Sequence, residues 1–473
     1  MKGTKSEAKY CQLRFEFEGL VGADSTECER NPRVYDSSLV LESNNTNGIV
    51  VKEQLLERIV EKSNFREAMK QVIRNKGSHG VDGMSVDELR DFLNTNWDTL
   101  KQMLLAGKYH PQPVRRVEIP KDNGKTRKLG IPTAVDRVIQ QAIAQVLTPI
   151  YEPLFHDNSY GFRPKRSAQQ AIQKCMDYMN EGYRYVIDMD LEKYFDTVNH
   201  DKVVALLTKN IKDGRVISLI HRYMRAGVLV EHKFEKTEIG VPQGGPLSPL
   251  LSNIMLNELD QELERRGHRF ARYADDSVIF LKTKRSAERV KKTITKFIEE
   301  RLRLVVNKEK TVVARAAQIK FLGFGFYFNK EGARARVHQQ SVKKLKDKIR
   351  LHTQKSKGNV SNETRPLNLR RLIMGWVNYF KIADMKVLLH DIDEWMRAKI
   401  RVVYWKQWKK IKTRHERLKA LGMQDNEAYR NACTRKGYWR VAHSPVLGKT
   451  LTNEVLKVYG YIYFSDYYKT VNL

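Results

Sequence analysis

Cysteine is scarce in this chain. Four are scattered through 473 residues, Cys11, Cys28, Cys175 and Cys433. No two have zinc-ligand spacing, and so loose a set makes no disulfide framework. A reducing, intracellular setting is therefore expected. Long apolar runs are also missing. Nothing approaches transmembrane length, and the first thirty residues lack the apolar core of a secretory signal, so no membrane partner is expected. Acidic charge is short as well. Against 86 Lys and Arg stand 55 Asp and Glu, a formal charge of +31. An excess of that size points to a polyanionic partner, with nucleic acid first. No internal repeat is evident.

The few acids are not spread evenly. Tyr273-Ala274-Asp275-Asp276 is preceded by Phe270-Ala271-Arg272 and followed by Ser277-Val278-Ile279-Phe280-Leu281. β-favouring residues on both sides predict a hairpin with two carboxylates at its turn. Adjacent carboxylates repel each other, and a divalent cation relieves them. Mg²⁺ suits the position, because it takes carboxylate oxygens and brings substrate phosphates with it. A partner acid lies upstream in Tyr183-Arg184-Tyr185-Val186-Ile187-Asp188-Met189-Asp190-Leu191. Alternation there puts Ile187, Met189 and Leu191 on one strand face and Val186, Asp188 and Asp190 on the other.

Residues 1 to about 50 read as an N-terminal extension ending in a polar linker. A helical pattern then runs from Val51, with Leu55, Leu56, Ile59 and Val60 on one side, to a glycine-rich loop at 77–83. Next comes a basic hairpin over 113–132, carrying Arg115, Arg116, Lys121, Lys125, Arg127 and Lys128. Lys121 and Arg127 flank its turn and suit a triphosphate, one as an ammonium point charge and the other as a guanidinium fork. A helix is expected over 134–148. Ser159 to Arg166 forms a basic turn with two aromatics, open to two readings, a contact to template backbone, with Arg163 the candidate, or simple packing.

Further on, Gly240-Val241-Pro242-Gln243-Gly244-Gly245-Pro246-Leu247-Ser248-Pro249 holds three glycines and three prolines in ten residues. It reads as an irregular loop that lets a nucleotide approach, with Gln243 free to hydrogen-bond it. Ser248 is expected to cap the helix that follows. Strands and helices alternate from 183 to about 328, which suits a sheet with helices on one face. Beyond 340 the pattern is helical and basic. Trp376, Tyr379, Phe380, Trp395, Trp405 and Trp408 read as core. The cations among them, including Arg397, Arg401, Lys406 and Lys409, read as a track for a phosphate backbone.

Taken in this order, the segments resemble the reverse transcriptase family, and most closely the bacterial group II intron-encoded reverse transcriptase/maturases. Ile187 to Asp196 resembles the first catalytic block, Gly240 to Asn253 the Pro-Gln-Gly block, and Tyr273 to Asp276 the metal-binding box. Phe321 to Phe326 resembles the primer grip, and Leu372 to Phe380 the maturase-specific block. With no His- or Cys-rich nuclease module after the thumb, the chain looks like the compact class C lineage.

The resemblance implies an α+β right-hand polymerase: fingers and palm over 51–335, a helical thumb/maturase domain over 336–425, and a basic DNA-binding-like segment over 426–473. It implies that Asp190, Asp275 and Asp276 bind two Mg²⁺, with Asp188 behind them. Phe195 resembles the steric gate against a ribose 2′-hydroxyl. Lys121, Arg127 and Gln243 look like dNTP contacts. Asp196 is expected to cap the next helix. The implied partners are intron RNA, an RNA template with a DNA primer, target DNA and dNTP, in a bacterial cytoplasm. Two other readings stay open: a splicing maturase that does not need to polymerise, and a host-adopted reverse transcriptase in repair or defence.

Overall fold

The computed structural model describes residues 54–120, 124, 126–231, 233–354 and 364–471. The N-terminal extension and Lys121 lie outside them. The expected first helix divides in two, α1 (Leu55–Ile59) and α2 (Lys62–Arg74), followed by α3 (Leu89–Leu105). The basic hairpin forms as β1 (Val114–Pro120) and β2 (Thr126–Ile131), paired antiparallel from Arg115 opposite Ile131 to Pro120 opposite Thr126. α4 (Ala134–Tyr151) is buried almost all round, as suits a helix at the centre of a core. Thr133 caps it by accepting from the Asp136 N–H at 3.1 Å. Asp136 is itself buried and accepts from the Tyr109 and Tyr223 hydroxyls, which ties α4 to its neighbours.

Next come α5 (Ala168–Asn180), β3 (Tyr185–Met189), α6 (Tyr194–Thr197), α7 (His200–Asn210) and α8 (Gly214–Met224). Two short strands follow, β4 (Val228–Val230) and β5 (Lys233–Glu235). β4 lies parallel to β1 and completes a four-stranded sheet in the order β2-β1-β4-β5. Then come α9 (Ser248–Arg265), β6 (Arg269–Tyr273), β7 (Asp276–Leu281), α10 (Lys284–Glu300) and β8 (Val312–Arg315). Strands β6-β7-β3-β8, in that order, make a second sheet, antiparallel throughout.

Period-two alternation divides that sheet between two cores. Ile187, Met189, Phe270, Ile279 and Leu281 enter one, together with α4, α7, α9 and α10. Val186, Ala271, Val278 and Phe280 enter the other, with α5 and the hairpin of β9 (Phe324–Asn329) and β10 (Gly332–Val337). The second core continues into the helices α11 (Gln339–Thr353), α12 (Thr364–Phe380) and α13 (Lys386–Gln407). Six shorter helices close the described chain: α14 (Ile411–Ala420), α15 (Asp425–Ala432), α16 (Tyr438–Ala442), α17 (Pro445–Thr450), α18 (Asn453–Val458) and α19 (Phe464–Val471). No described helix is long and apolar enough to cross a membrane.

Two expected caps are corrected. Ser248 is the first residue of α9, and its hydroxyl donates to the Pro242 carbonyl at 2.7 Å, so it closes the Gly/Pro loop. Asp196 lies inside α6, and Asn199 caps α7 by accepting from the Lys202 N–H at 2.9 Å.

Candidate active site

The sheet register brings the acids together. Met189 on β3 faces Ser277 on β7, so the next residues outward are Asp190 and Asp276. Tyr273 pairs with Asp276 across the β6–β7 hairpin, leaving Ala274 and Asp275 as a two-residue turn. Such a turn needs a positive φ, and Ala274 supplies it at 56°.

This turn is braced from behind. The Arg272 guanidinium is buried and paired with buried Asp260 of α9, with Nη2 2.5 Å from Oδ2. It also donates to the Ala274 carbonyl, to Asn253 Oδ1 and to the Ser159 hydroxyl. Asn253 donates in turn to the Gly161 carbonyl. A Cβ on Gly161 would meet the Ala274 nitrogen at 2.2 Å, so only glycine lets the two backbones lie this close. Sequence reasoning missed this brace. Nothing local marks Arg272 as buried, because its side-chain partners arrive from α9 and from the turn at Ser159.

Four carboxylates sense one another here. Loss of hydration, and then the charges of Asp275, Asp188 and Asp190, push Asp276 up to about 7. The residue's surface stays open to solvent, which tempers the hydration part and leaves the repulsion as the more durable cause. Loss of hydration and the Asp190 charge push Asp188 up to about 6. Loss of hydration also raises Asp275, and the nearby Arg127 pulls it back. Asp190 is met by Lys310, whose Nζ lies 3.1 Å from Oδ2. The Asp190 N–H donates to the Thr311 hydroxyl, and its carbonyl accepts from the Asn307 N–H. Lys310 and Thr311 were not anticipated.

No three His, Cys, Asp or Glu among the described residues converge closely enough to enclose an ion by themselves. The donor set nevertheless fits a hard divalent cation. It is all-carboxylate and self-repelling, it opens on one side, and Mg²⁺ is commonly held by one or two carboxylates plus substrate phosphates.

The other candidates fall into three groups. Arg127 Nε donates to Gln243 Oε1 at 3.0 Å, and the Gly130 N–H donates to the Gln243 carbonyl at 2.8 Å. The Gly/Pro loop therefore docks on β2, beside the acids. Gly244 takes a φ of 121°, where a Cβ would strike the Gly130 carbonyl. Phe195 is buried, and the Val241 N–H donates to its carbonyl at 2.6 Å, so the same loop passes over α6.

Arg115 donates to the Ser78 hydroxyl and the His79 carbonyl and so holds the glycine-rich loop, while Arg116 is half-buried on β1. Arg163 is a correction. It is buried, pairs with Glu152 at 2.8 Å and donates to the carbonyls of His156 and Ser159. Its guanidinium is spent on organising its own turn.

In the helical region, Arg397 lies over Tyr463, Arg401 donates to the Leu451 carbonyl, Lys406 lies over Tyr438 and Lys409 is exposed. Trp405 and Trp408 are core, as expected; Trp395 is half-buried among Lys346, Arg350 and Lys399.

Comparison with known proteins shows the family. Residues 119–326 match the reverse transcriptase (RNA-dependent DNA polymerase) family, and residues 342–422 match the group II intron maturase-specific domain. Protein YkfC of Escherichia coli (strain K12) is 36% identical over 301 residues, 55% of this chain and 79% of YkfC. The chain belongs to the group II intron reverse transcriptase/maturase family. The group II intron-encoded protein LtrA of Lactococcus lactis subsp. cremoris is 31% identical over 350 residues, 60% of this chain and 58% of LtrA. Among solved structures, an apo telomerase from Candida tropicalis covers 57% of this chain and 65% of its own, at 16% identity and a TM-score of 0.40, too distant a likeness to bear on function. A polymerase domain thus precedes a maturase domain in one chain. The family is metal-dependent in general.

Proposed function

We propose that this protein copies RNA into DNA at the Asp190, Asp275 and Asp276 cluster, and that its helical region binds the intron RNA it helps to splice, in a bacterial cytoplasm. The register that sets Asp190 across from Asp276, beside Asp275, is the observation that carries the reading. In the reaction the primer 3′-hydroxyl attacks the α-phosphorus of a dNTP, and pyrophosphate leaves.

Asp190, Asp275 and Asp276 would hold two Mg²⁺, with Asp188 behind them. Bound there, the cations supply charge neutralisation and a lowered pKa for the attacking hydroxyl. The remaining work belongs to side chains and is mainly positioning. Arg127, beside Asp275 and fixed by Gln243, faces the triphosphate, and Gln243 orients the nucleotide. Phe195, whose carbonyl accepts from the Val241 N–H, would fill the space of a ribose 2′-hydroxyl. Lys310, paired with Asp190, would release it for a cation to be held there. The arginine–aspartate brace keeps the turn in place throughout. We assign residues up to about 335 to fingers and palm, and those from about 336 to the thumb/maturase region.

The test is primer extension by the full chain on an RNA template with Mg²⁺, run beside a splicing assay with intron RNA. Extension and faster splicing are expected. A chain that binds RNA but extends no primer would contradict the polymerase reading.

A further inference from the structure

An open cleft lies at the junction of α13 and α16. It has a volume of about 610 Å³ and is lined by Lys399, Val402 and Lys406 from α13, and by Gly437, Tyr438, Trp439 and Arg440. Its aromatics differ from those of the core. Trp405 and Trp408 are 1% and 7% exposed, whereas Tyr438 and Trp439 are each 43% exposed. Cations stand over both rings, with Lys399 Nζ 4.7 Å from the Trp439 centroid and Lys406 Nζ 5.4 Å from that of Tyr438. The His443 ring, 4.5 Å away and tilted by 68°, props the indole. No described carboxylate forms an ion pair with Lys399, Lys406 or Arg440. Loss of hydration, then Arg350 and Lys406, lower the Lys399 ammonium, so like charges crowd here without an acid to answer them.

We propose that this cleft binds an unpaired nucleotide of a single strand, its base against Tyr438 and Trp439 and its phosphate on Lys399, Lys406 and Arg440. Exposed aromatics beside unanswered cations are what a sequence-tolerant single-strand site requires, since every base has a face to stack and every nucleotide a phosphate. A duplex fits less well, because its bases are already stacked and only its phosphates could reach the cations. The volume suits one or two nucleotides. The inference rests on the nucleic-acid reading above for its ligand class, and it shares no residue with the acid cluster.

The test uses the full chain and a short single-stranded oligonucleotide carrying 2-aminopurine, in RNA and DNA versions, with an unlabelled blunt duplex as competitor. Wild type should quench the probe by stacking. Tyr438→Ala with Trp439→Ala should bind it about 5- to 150-fold more weakly, the range for losing one stacked base. Trp439→Phe should keep most of the quench, which guards against mere misfolding. Lys406→Gln should lower the salt slope by about 0.7. Quenching of the RNA probe alone makes the source RNA, and quenching of the DNA probe makes it a DNA strand; either supports the site. An undiminished quench in the double alanine variant, or a duplex that competes as well as a single strand, overturns it. Wild-type primer extension on an RNA template, measured in parallel, reads the polymerase proposal separately.

Discussion

Substituting Asp276→Asn should make the metal-free protein more stable, although it destroys the site. Asp276 titrates near 7 in the folded chain against 3.8 as an ordinary carboxylate. A group raised on folding contributes stability that is fully present below the unfolded pKa and is lost as pH rises through the folded one. Without metal, then, the charged carboxylate weighs against the fold at pH 8, less at pH 5, and not at all below about pH 4. A rise from 3.8 to about 7 would amount to ~4 kcal/mol if the group were sealed from water. Asp276 is exposed, so screening reduces this to ~1–2 kcal/mol. For a chain of this size that is a rise of about 1–2 °C in Tm. The assay is thermal unfolding in excess chelator at pH 8 and at pH 5. The asparagine variant should melt higher at pH 8, with a smaller gain at pH 5. Mg²⁺ should raise the wild-type melt more than that of the variant. A variant no more stable than wild type at pH 8, or equally stabilised at both pH values, would show that the Asp276 charge does not weigh against the fold.

Other changes separate the brace from the chemistry. Arg272→Met leaves Asp260 buried without its partner and should cost ~3–5 kcal/mol of stability, read by denaturant unfolding. Gly161→Ala forces the Ala274 turn outward and should slow extension more than it lowers Tm; equal extension would show that the close approach is dispensable. Phe195→Ala should admit ribonucleotides more readily, measured as the ratio of rNTP to dNTP incorporation, and an unchanged ratio would remove Phe195 from the gate.

The acid cluster was legible because strand periodicity is local. Alternation alone puts Asp188 and Asp190 on one face, and a pair of carboxylates between two β-favouring runs marks its own hairpin. The meeting of Arg127 with Gln243 was legible only through family resemblance, since 116 residues separate them. What stayed hidden depends on tertiary packing. Arg272 looks like one more cation in a strand until Asp260, Asn253 and Ser159 surround it. Arg163 looks like a surface cation until Glu152 buries it. Ser248 has the residue type and position of a cap, but the Pro242 carbonyl competes for its hydroxyl. α5, which covers the second face of the β6-β7-β3-β8 sheet, was not foreseen at all.

Single-nucleotide addition to a DNA primer on an RNA template, compared between wild type and Asp275→Asn with RNA affinity measured on the same samples, reads the acid cluster most directly. At least a ~10³-fold loss of rate is expected, the scale of several kcal/mol of lost charge stabilisation, with RNA affinity unchanged. Addition at the wild-type rate would contradict the polymerase reading.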